Sequence, residues 1–138
     1  VTITPLPVLA GLDTRVNATV ASNQTAPAAT RLLDGKSVVV WQSRGQVTES
    51  DIVGRIYNAD GTPATGEFLI NNTFLLPGPQ TDPAVAILDS GDFVVVWTSG
   101  YPESALVMGR VFSPTGTPQS APFPLTTAQT GAQFAPAV

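Results

Sequence analysis

The residue types that most often do chemistry are scarce in this chain. Its 138 residues include no cysteine and no histidine, so neither a histidine-activated nucleophile nor the usual zinc sites can be assembled. Catalysis would need a pair of carboxylates, as in glycoside hydrolysis. Most of the ten acidic residues lie in predicted turns or loops, where no apolar setting would raise a carboxyl pKa. We predict that the protein is not an enzyme and holds no cofactor.

Calcium has to be considered separately, because Asp-Gly pairs recur along the chain. A calcium ion takes about six to eight oxygen ligands, with several carboxylates converging on one loop. The best candidate, LDSGD at Leu88–Asp92, has too few carboxylates and is predicted to be a simple turn. No metal site is expected.

The two tryptophans, Trp41 and Trp97, occupy equivalent places at the ends of apolar runs. Exposed indoles often stack on sugars, which makes both tryptophans candidate ligand residues. The favoured alternative is structural: each indole covers the strand glycine of its own unit, Gly54 or Gly109, filling the space that a missing side chain leaves.

Two arginines, Arg55 and Arg110, recur directly after those glycines. They are candidate ligand residues because a guanidinium can hold a carboxylate or a sugar hydroxyl. The favoured alternative is a cation that stacks on a neighbouring aromatic ring or pairs with a nearby acid.

Three of the five asparagines open an Asn-x-Thr sequence: Asn17, Asn23 and Asn71. In a host with N-glycosylation these would be surface acceptors. The alternative is that strand ends rich in asparagine and threonine generate such sequences by composition alone.

The chain repeats itself, and the repeat is what positions these residues. QTAPAATRLLDGKSVVVW (24–41) and QTDPAVAILDSGDFVVVW (80–97) are identical in ten of eighteen columns, and GRIYNADGTP (54–63) matches GRVFSPTGTP (109–118). One unit is therefore roughly 55 residues long, which is typical of repeat architectures.

Turn residues divide each unit into four short runs rich in β-branched residues, which favours strands over helices. The predicted strands lie at roughly 27–33, 36–43, 51–59 and 65–72, and at 82–88, 92–99, 105–113 and 121–127. Asp34-Gly35, Asp60-Gly61, Ser90-Gly91 and Thr115-Gly116 supply the positive φ that tight hairpins need. The runs SVVVW and FVVVW do not alternate with polar residues, which is typical of strands covered on both faces. The sequence predicts an all-β protein of four-stranded antiparallel propeller-like blades in tandem, with a two-sheet β-sandwich as the alternative.

The units do not account for both ends of the chain. LDTRVNATVASNQ (12–24) is comparable with EFLINN (67–72), the last strand of a unit, and QFAPAV (133–138) restarts the Gln-x-x-Pro-Ala opening. The predicted organisation assigns 1–23 to strands that complete a neighbouring unit, 24–79 to the first unit and 80–127 to the second. Residues 128–138 are predicted to be the first strand of an incomplete third unit.

The chain resembles a family of tandem repeats of about 50 residues found in large secreted bacterial proteins, often beside haemolysin-type calcium-binding repeats. The resemblance rests on Gln24, Pro27, Ala28, Gly35, Trp41, Gly54, Tyr57, Gly61 and Pro63, and on their counterparts Gln80, Pro83, Ala84, Gly91, Trp97, Gly109, Phe112, Gly116 and Pro118. It implies an extracellular module, propeller-like or adhesive. The glycine-aspartate nonapeptides of the calcium-binding repeats are missing here, so their chemistry is not carried over.

Composition narrows the partners. Only 12% of residues are charged, against roughly 25% in typical domains, so part of the surface is expected to contact protein. The six lysines and arginines are scattered and form no basic stripe for nucleic acid. No apolar run approaches the roughly 20 residues of a membrane span, and membrane insertion is not predicted.

These features predict a non-enzymatic structural or adhesive protein, extracellular or at the cell surface, whose copies associate through the incomplete terminal units, extending into a filament. The residues predicted to make that contact are Gln133, Phe134, Ala135, Pro136 and Val138. The alternative is a lectin-like propeller module that binds surface glycans.

Overall fold

The computed structural model describes residues 14–44, 49–71, 78–126 and 135–138, which contain eight strands and no helix. The strands form two four-stranded antiparallel sheets, in each of which neighbours in sequence pair. Sheet 1 consists of β1 (Gln24–Arg31), β2 (Ser37–Arg44), β3 (Ser50–Tyr57) and β4 (Phe68–Leu69). Sheet 2 consists of β5 (Gln80–Ile87), β6 (Phe93–Ser99), β7 (Leu106–Phe112) and β8 (Phe123–Pro124). The predicted all-β antiparallel class is confirmed.

The two long hairpins of each sheet use the same five-residue turn. In the first, Leu32 N–H donates to the Lys36 carbonyl over 2.8 Å and Gly35 N–H donates to the Leu32 carbonyl over 3.1 Å. The fourth residue of every such turn is a glycine with positive φ, a conformation that other residues rarely adopt. These glycines are Gly35 (87°), Gly61 (84°), Gly91 (91°) and Gly116 (84°). The predicted turn positions are confirmed.

The Gln-x-x-Pro-Ala motif forms a β-bulge. In β1 the pairing register shifts between Thr25 and Ala28, and β5 has the same shift. The residue before the proline has a positive φ, 49° at Ala26 and 51° at Asp82. Proline has no N–H to donate, so a bulge lets the strand continue past it. The motif that marks the repeat therefore has a backbone role.

The fourth strands are shorter than the sequence predicted, which was 65–72 and 121–127. Just before each fourth strand, side-chain hydrogen bonds replace the regular backbone hydrogen bonds of the sheet. Thr65 Oγ1 accepts a hydrogen bond from Ile56 N–H over 3.0 Å, and the Thr65 carbonyl accepts one from Arg55 Nε, also over 3.0 Å. Ser120 takes both roles in sheet 2. Regular pairing can begin only after these bonds are made.

Each sheet has two chemically different faces, because successive residues of a strand point in opposite directions. We call one the arginine face and the other the glycine face, after the residues of the third strand that point there. The arginine face carries Val39, Trp41, Val53, Arg55 and Tyr57 in sheet 1, and Val95, Trp97, Met108, Arg110 and Phe112 in sheet 2. The glycine face carries Val38, Val40, Ile52, Gly54 and Ile56 in sheet 1, and Val94, Val96, Val107, Gly109 and Val111 in sheet 2.

The sheets pack through unlike faces. The core joins residues of the glycine face of sheet 1, such as Val40, to residues of the arginine face of sheet 2, such as Trp97. Phe68, on the glycine face, lies 5.9 Å from the ring of Phe112. It also contacts the turn at Gly116, where an added Cβ would lie 3.1 Å from its ring. The two units are thus stacked head to tail.

The unbroken apolar runs are fully buried on the inner side of each sheet and only in part on the outer side, where Val39 and Val94 are half-buried. In β6, Val95 and Trp97 are fully buried on one face, while Val96 and Thr98 are 4% and 2% exposed on the other. Two packed four-stranded sheets fit the two-sheet alternative for the fold. A propeller would require further units.

Candidate functional site

The two equivalent tryptophans differ in their surroundings. Trp97 is 0% exposed and its Nε1 donates to Gln80 Oε1 over 2.8 Å. It lies between the sheets, so it has no surface to offer a sugar.

Trp41 lies on the outer arginine face of sheet 1, where it lines a mostly apolar cavity of about 240 Å³ together with Val39 and Pro27. Gln24, the counterpart of Gln80, lines the same cavity, and its Oε1 is buried without a hydrogen-bond partner among the described residues. Trp41 itself is only 4% exposed. The outer face therefore carries the same pair of residues as the Trp97 site, but without the hydrogen bond between them and without a second sheet packed over them.

The expectation that the tryptophans cover the strand glycines was wrong. Gly54 pairs with Val40, the neighbour of Trp41, so the indole points to the opposite face. The space at Gly54 is filled by Phe68 and Ile70, whose atoms lie within 3.2 Å of an ideal Cβ there. The aromatic cover comes from the fourth strand.

Arg110 links the two units by hydrogen bonds. Its Nε donates to the Ser120 carbonyl of its own unit and its Nη1 to the Ile70 carbonyl of the other, each over 3.0 Å. The guanidinium lies 5.3 Å from the centre of the Phe112 ring, and burial lowers the pKa of this arginine. Because Arg110 is only 7% exposed, it is not available to a ligand.

Arg55 makes the same set of contacts on the outer face of sheet 1. Its Nε donates to the Thr65 carbonyl over 3.0 Å, its guanidinium lies 5.6 Å from the Tyr57 ring, and its Nη1 donates to the Val16 carbonyl over 3.3 Å. Val16 thus stands to Arg55 as Ile70 stands to Arg110. The Tyr57 hydroxyl donates to the same Val16 carbonyl.

Residues 14–19, here called the N-terminal segment, occupy the place of a fourth-strand end. Val16-Asn17 corresponds to Ile70-Asn71 in sequence. The carbonyls of Val16 and Ile70 also accept hydrogen bonds from equivalent arginines, Arg55 and Arg110. The Val16 carbonyl therefore has the same position relative to Arg55 as the Ile70 carbonyl has relative to Arg110.

Glu67 holds the N-terminal segment from the other side. Its Oε1 accepts hydrogen bonds from the N–H groups of Ala18 and Thr19 over 2.6 and 3.1 Å, and its Oε2 accepts one from Thr19 Oγ1 over 2.7 Å. Desolvation raises the pKa of Glu67, but the hydrogen bonds from Thr19 and Ala18 and the charge of Arg55 outweigh it and lower the pKa below its usual value. The second unit has Pro122 at this position, so the Glu67 contact is not part of the repeat.

Sequence reasoning missed the role of Glu67 and of Val16. A signal was present in the first case, because the second unit has the uncharged Pro122 where the first has Glu67. Val16 acts through its carbonyl, which every residue has, and only the Val16-Asn17 similarity to Ile70-Asn71 could have indicated it.

The three candidate glycosylation sites lie in different settings. Asn71 is 2% exposed, with Nδ2 donating to Asp51 over 3.0 Å and Oδ1 accepting from Ile52 N–H over 2.8 Å. A glycan on its Nδ2 would have to break this buried pair. Asn17 is half-buried and donates to the Thr19 carbonyl, while Asn23 is exposed.

Of the predicted assembly residues, Gln133 and Phe134 lie outside the described part of the chain. Ala135 has a φ of 50°, which matches the bulge residues of β1 and β5. Pro136 is half-buried and Val138 is 57% exposed. The third Gln-x-x-Pro-Ala motif therefore has the bulge conformation at this residue, although 135–138 form no strand.

The acidic residues form no metal site within the described ranges, where no group of three or more His, Cys, Asp or Glu comes together. The segment Leu88–Asp92 is a hairpin turn, closed by a 2.8 Å hydrogen bond from Leu88 N–H to the Asp92 carbonyl. The same ranges contain no helix long and apolar enough to cross a bilayer.

Comparison with known proteins found no match to this chain among family models, curated proteins or solved structures.

Proposed function

We propose that the protein is a non-enzymatic structural β-repeat protein whose copies associate by stacking sheets head to tail. One observation carries the proposal: the two sheets inside the chain meet through unlike faces, so its two outer faces are also unlike. Each outer face repeats the residue types of an inner face. Contacts of this kind are heterologous, and they continue from copy to copy instead of closing at a dimer.

The burial of equivalent residues supports this proposal. On the inner glycine face, five residues are at most 1% exposed: Val38, Val40, Ile52, Ile56 and Ile70. Of their counterparts on the outer glycine face, Val96 is 4% exposed, Val94, Val107 and Val111 are half-buried and Leu125 is 52% exposed. On the arginine face, Pro83 is buried between the sheets, whereas its outer counterpart Pro27 is exposed. The uncovered residues are those that a second copy would cover.

The hairpin turns would meet at the rim of such a stack. Inside the chain, Leu33 of the first hairpin contacts the position of Gly91 in the second, with its Cδ1 3.6 Å from an ideal Cβ. The counterparts on the outer faces are Asp89 and Gly35, and Lys36 follows Gly35. The same step between copies would bring Asp89 beside Lys36, whose ammonium pairs with Asp34 of its own turn.

Repeated stacking has two outcomes. If the rotation between copies closes, the product is a ring of propeller-like blades; if it does not, the product is a filament. An extracellular or cell-surface location, with an adhesive role, agrees with the sparse charge and with the family that the repeat resembles.

Sedimentation velocity over a range of concentrations, combined with electron microscopy, tests the association itself. We expect particles larger than one chain whose mass increases with concentration. A chain that remains monomeric from the micromolar range to about a hundredfold higher concentration would overturn the proposal.

The head-to-tail polarity can be tested with thiols, because the chain has no cysteine. We expect a short bifunctional thiol reagent to join Lys36→Cys chains to Asp89→Cys chains when the two are mixed. Each variant alone is the matched control and should yield almost no dimer, since a heterologous contact pairs unlike positions. Cross-linking of either variant to itself would indicate a two-fold contact and contradict the stacking model.

Carbohydrate binding with one site per unit is less well supported, because Trp97 and Arg110 are both buried between the sheets. Of the two tryptophans, Trp41 is the one that lines a surface cavity, and that cavity lies on the face that stacking would cover.

A further inference from the structure

If the copies stack as in the proposed function, on which this inference rests, the N-terminal segment lies in the way of a second copy. It binds the outer arginine face of sheet 1, which is the face that a second copy would need. Two cavities flank Val16 on this face, of about 240 and about 300 Å³. The segment therefore covers the face only in part.

The segment and a second copy would compete for the same donor. Inside the chain, Arg110 donates to the carbonyl of Ile70, the residue that follows β4. The residue that follows β8 is Leu125, whose N–H donates to the Val107 carbonyl over 2.8 Å as that of Ile70 donates to Ile52 over 2.9 Å. A second copy docked by the same step would bring its Leu125 carbonyl to Arg55, where the Val16 carbonyl already lies.

We infer that the N-terminal segment is an internal cap that occupies the docking site of a second copy and must leave before the copies can stack fully. The cap copies the fourth-strand end closely enough to satisfy Arg55 and Tyr57. Its described residues leave a mostly apolar cavity beside Trp41 and Val39. A complete sheet would cover that surface, which gives the second copy an advantage once the cap is released.

Glu67 sets how firmly the cap is held. It accepts three hydrogen bonds from Ala18 and Thr19, and bonds to an ionised acceptor are stronger than neutral ones. The positive charge of Arg55 also acts on Glu67, and Arg55 shares the Val16 carbonyl with the Tyr57 hydroxyl. None of these contacts belongs to the core between the sheets, so the cap can be loosened without disturbing that core.

The test compares Glu67→Gln with the full-length wild-type chain by sedimentation. We expect the variant to associate at a concentration about three- to tenfold lower, because the cap is held less firmly. Glu103→Gln is the matched control: it makes the same change in net charge at an exposed position and should leave the association unchanged.

Hydrogen exchange gives an independent readout. The Ala18 and Thr19 amides, which bind Glu67, should exchange faster in assembled than in dilute wild-type protein, while the Ile70 amide stays protected in both. If the wild type assembles but Glu67→Gln assembles no better, or if both amides gain protection on assembly, the cap is wrong and the proposed function stands. If neither chain assembles, both proposals fall.

Discussion

A matched pair of substitutions at equivalent positions, Ile70→Ala and Leu125→Ala, tests the packing of the two units most directly. Ile70 is 0% exposed and its Cδ1 lies 3.1 Å from an ideal Cβ at Gly54. Removing a buried aliphatic side chain of this size costs about 2–5 kcal/mol, including the cavity left behind. Leu125 covers Gly109 in the same way but is 52% exposed, so its loss should lower the free energy of unfolding by about 1 kcal/mol or less.

Urea unfolding of dilute protein, followed by the fluorescence of the buried Trp97, measures both losses from the transition midpoints at constant slope. In assembled protein the order should change, because Leu125 becomes buried between copies and Leu125→Ala then weakens association. Ile70→Ala has no effect at that interface beyond its effect on the fold. Equal losses in the dilute chain would show that the second unit does not cover Ile70 as described, and the stacking argument would fail with it.

Three further predictions concern five substitutions, and the first two compare equivalent positions of the repeat. Gln80→Ala should destabilise the dilute chain by about 1–3 kcal/mol, because it strands the buried indole N–H, whereas Gln24→Ala, whose Oε1 has no partner, should cost less in the same urea assay. Gly116→Ala should lower the thermal midpoint more than Gly61→Ala: both have a φ of 84°, but only the first would press a Cβ against an aromatic ring. Folding lowers the pKa of the Glu67 carboxyl below its ordinary value of 4.5. The ionised carboxylate therefore stabilises the folded chain above pH 4.5, and this stabilisation is lost as the pH falls through the folded-state pKa. The difference in unfolding free energy between the wild type and Glu67→Gln should shrink as the pH is lowered from neutral through this range.

Much of the fold could be predicted because it depends on the conformational and packing requirements of individual residues. The turn glycines need a positive φ, and the VVVW runs need cover on both faces, so the strands and hairpins follow from single positions. The length of the fourth strands could not be predicted, because Thr65 and Ser120 replace ladder bonds with side-chain bonds. Nothing in the type of a threonine or serine distinguishes this use from an ordinary strand residue.

The sequence identified several residues of the candidate site but not the roles of those residues. Arg55 and Arg110 were identified by their recurrence, and stacking on an aromatic ring was one of the two expected roles. Their other partners are backbone carbonyls of Val16 and Ile70, which a sequence does not mark. Trp41 and Trp97 look identical in sequence, and only the stacking order of the sheets makes one a core residue and the other a wall of a surface cavity.

The stacking order also explains why contact between copies would have a defined register. Burial of apolar surface has little directionality, and two valine-rich faces could slide past one another. A guanidinium that must reach one carbonyl while stacking on its own aromatic ring fixes the position. The described residues hold three carbonyls of this kind, at Val16, Ile70 and Leu125, but only two such arginines. The Leu125 carbonyl is the one without an arginine, and it lies at the end of the face that matches Arg55 of another copy.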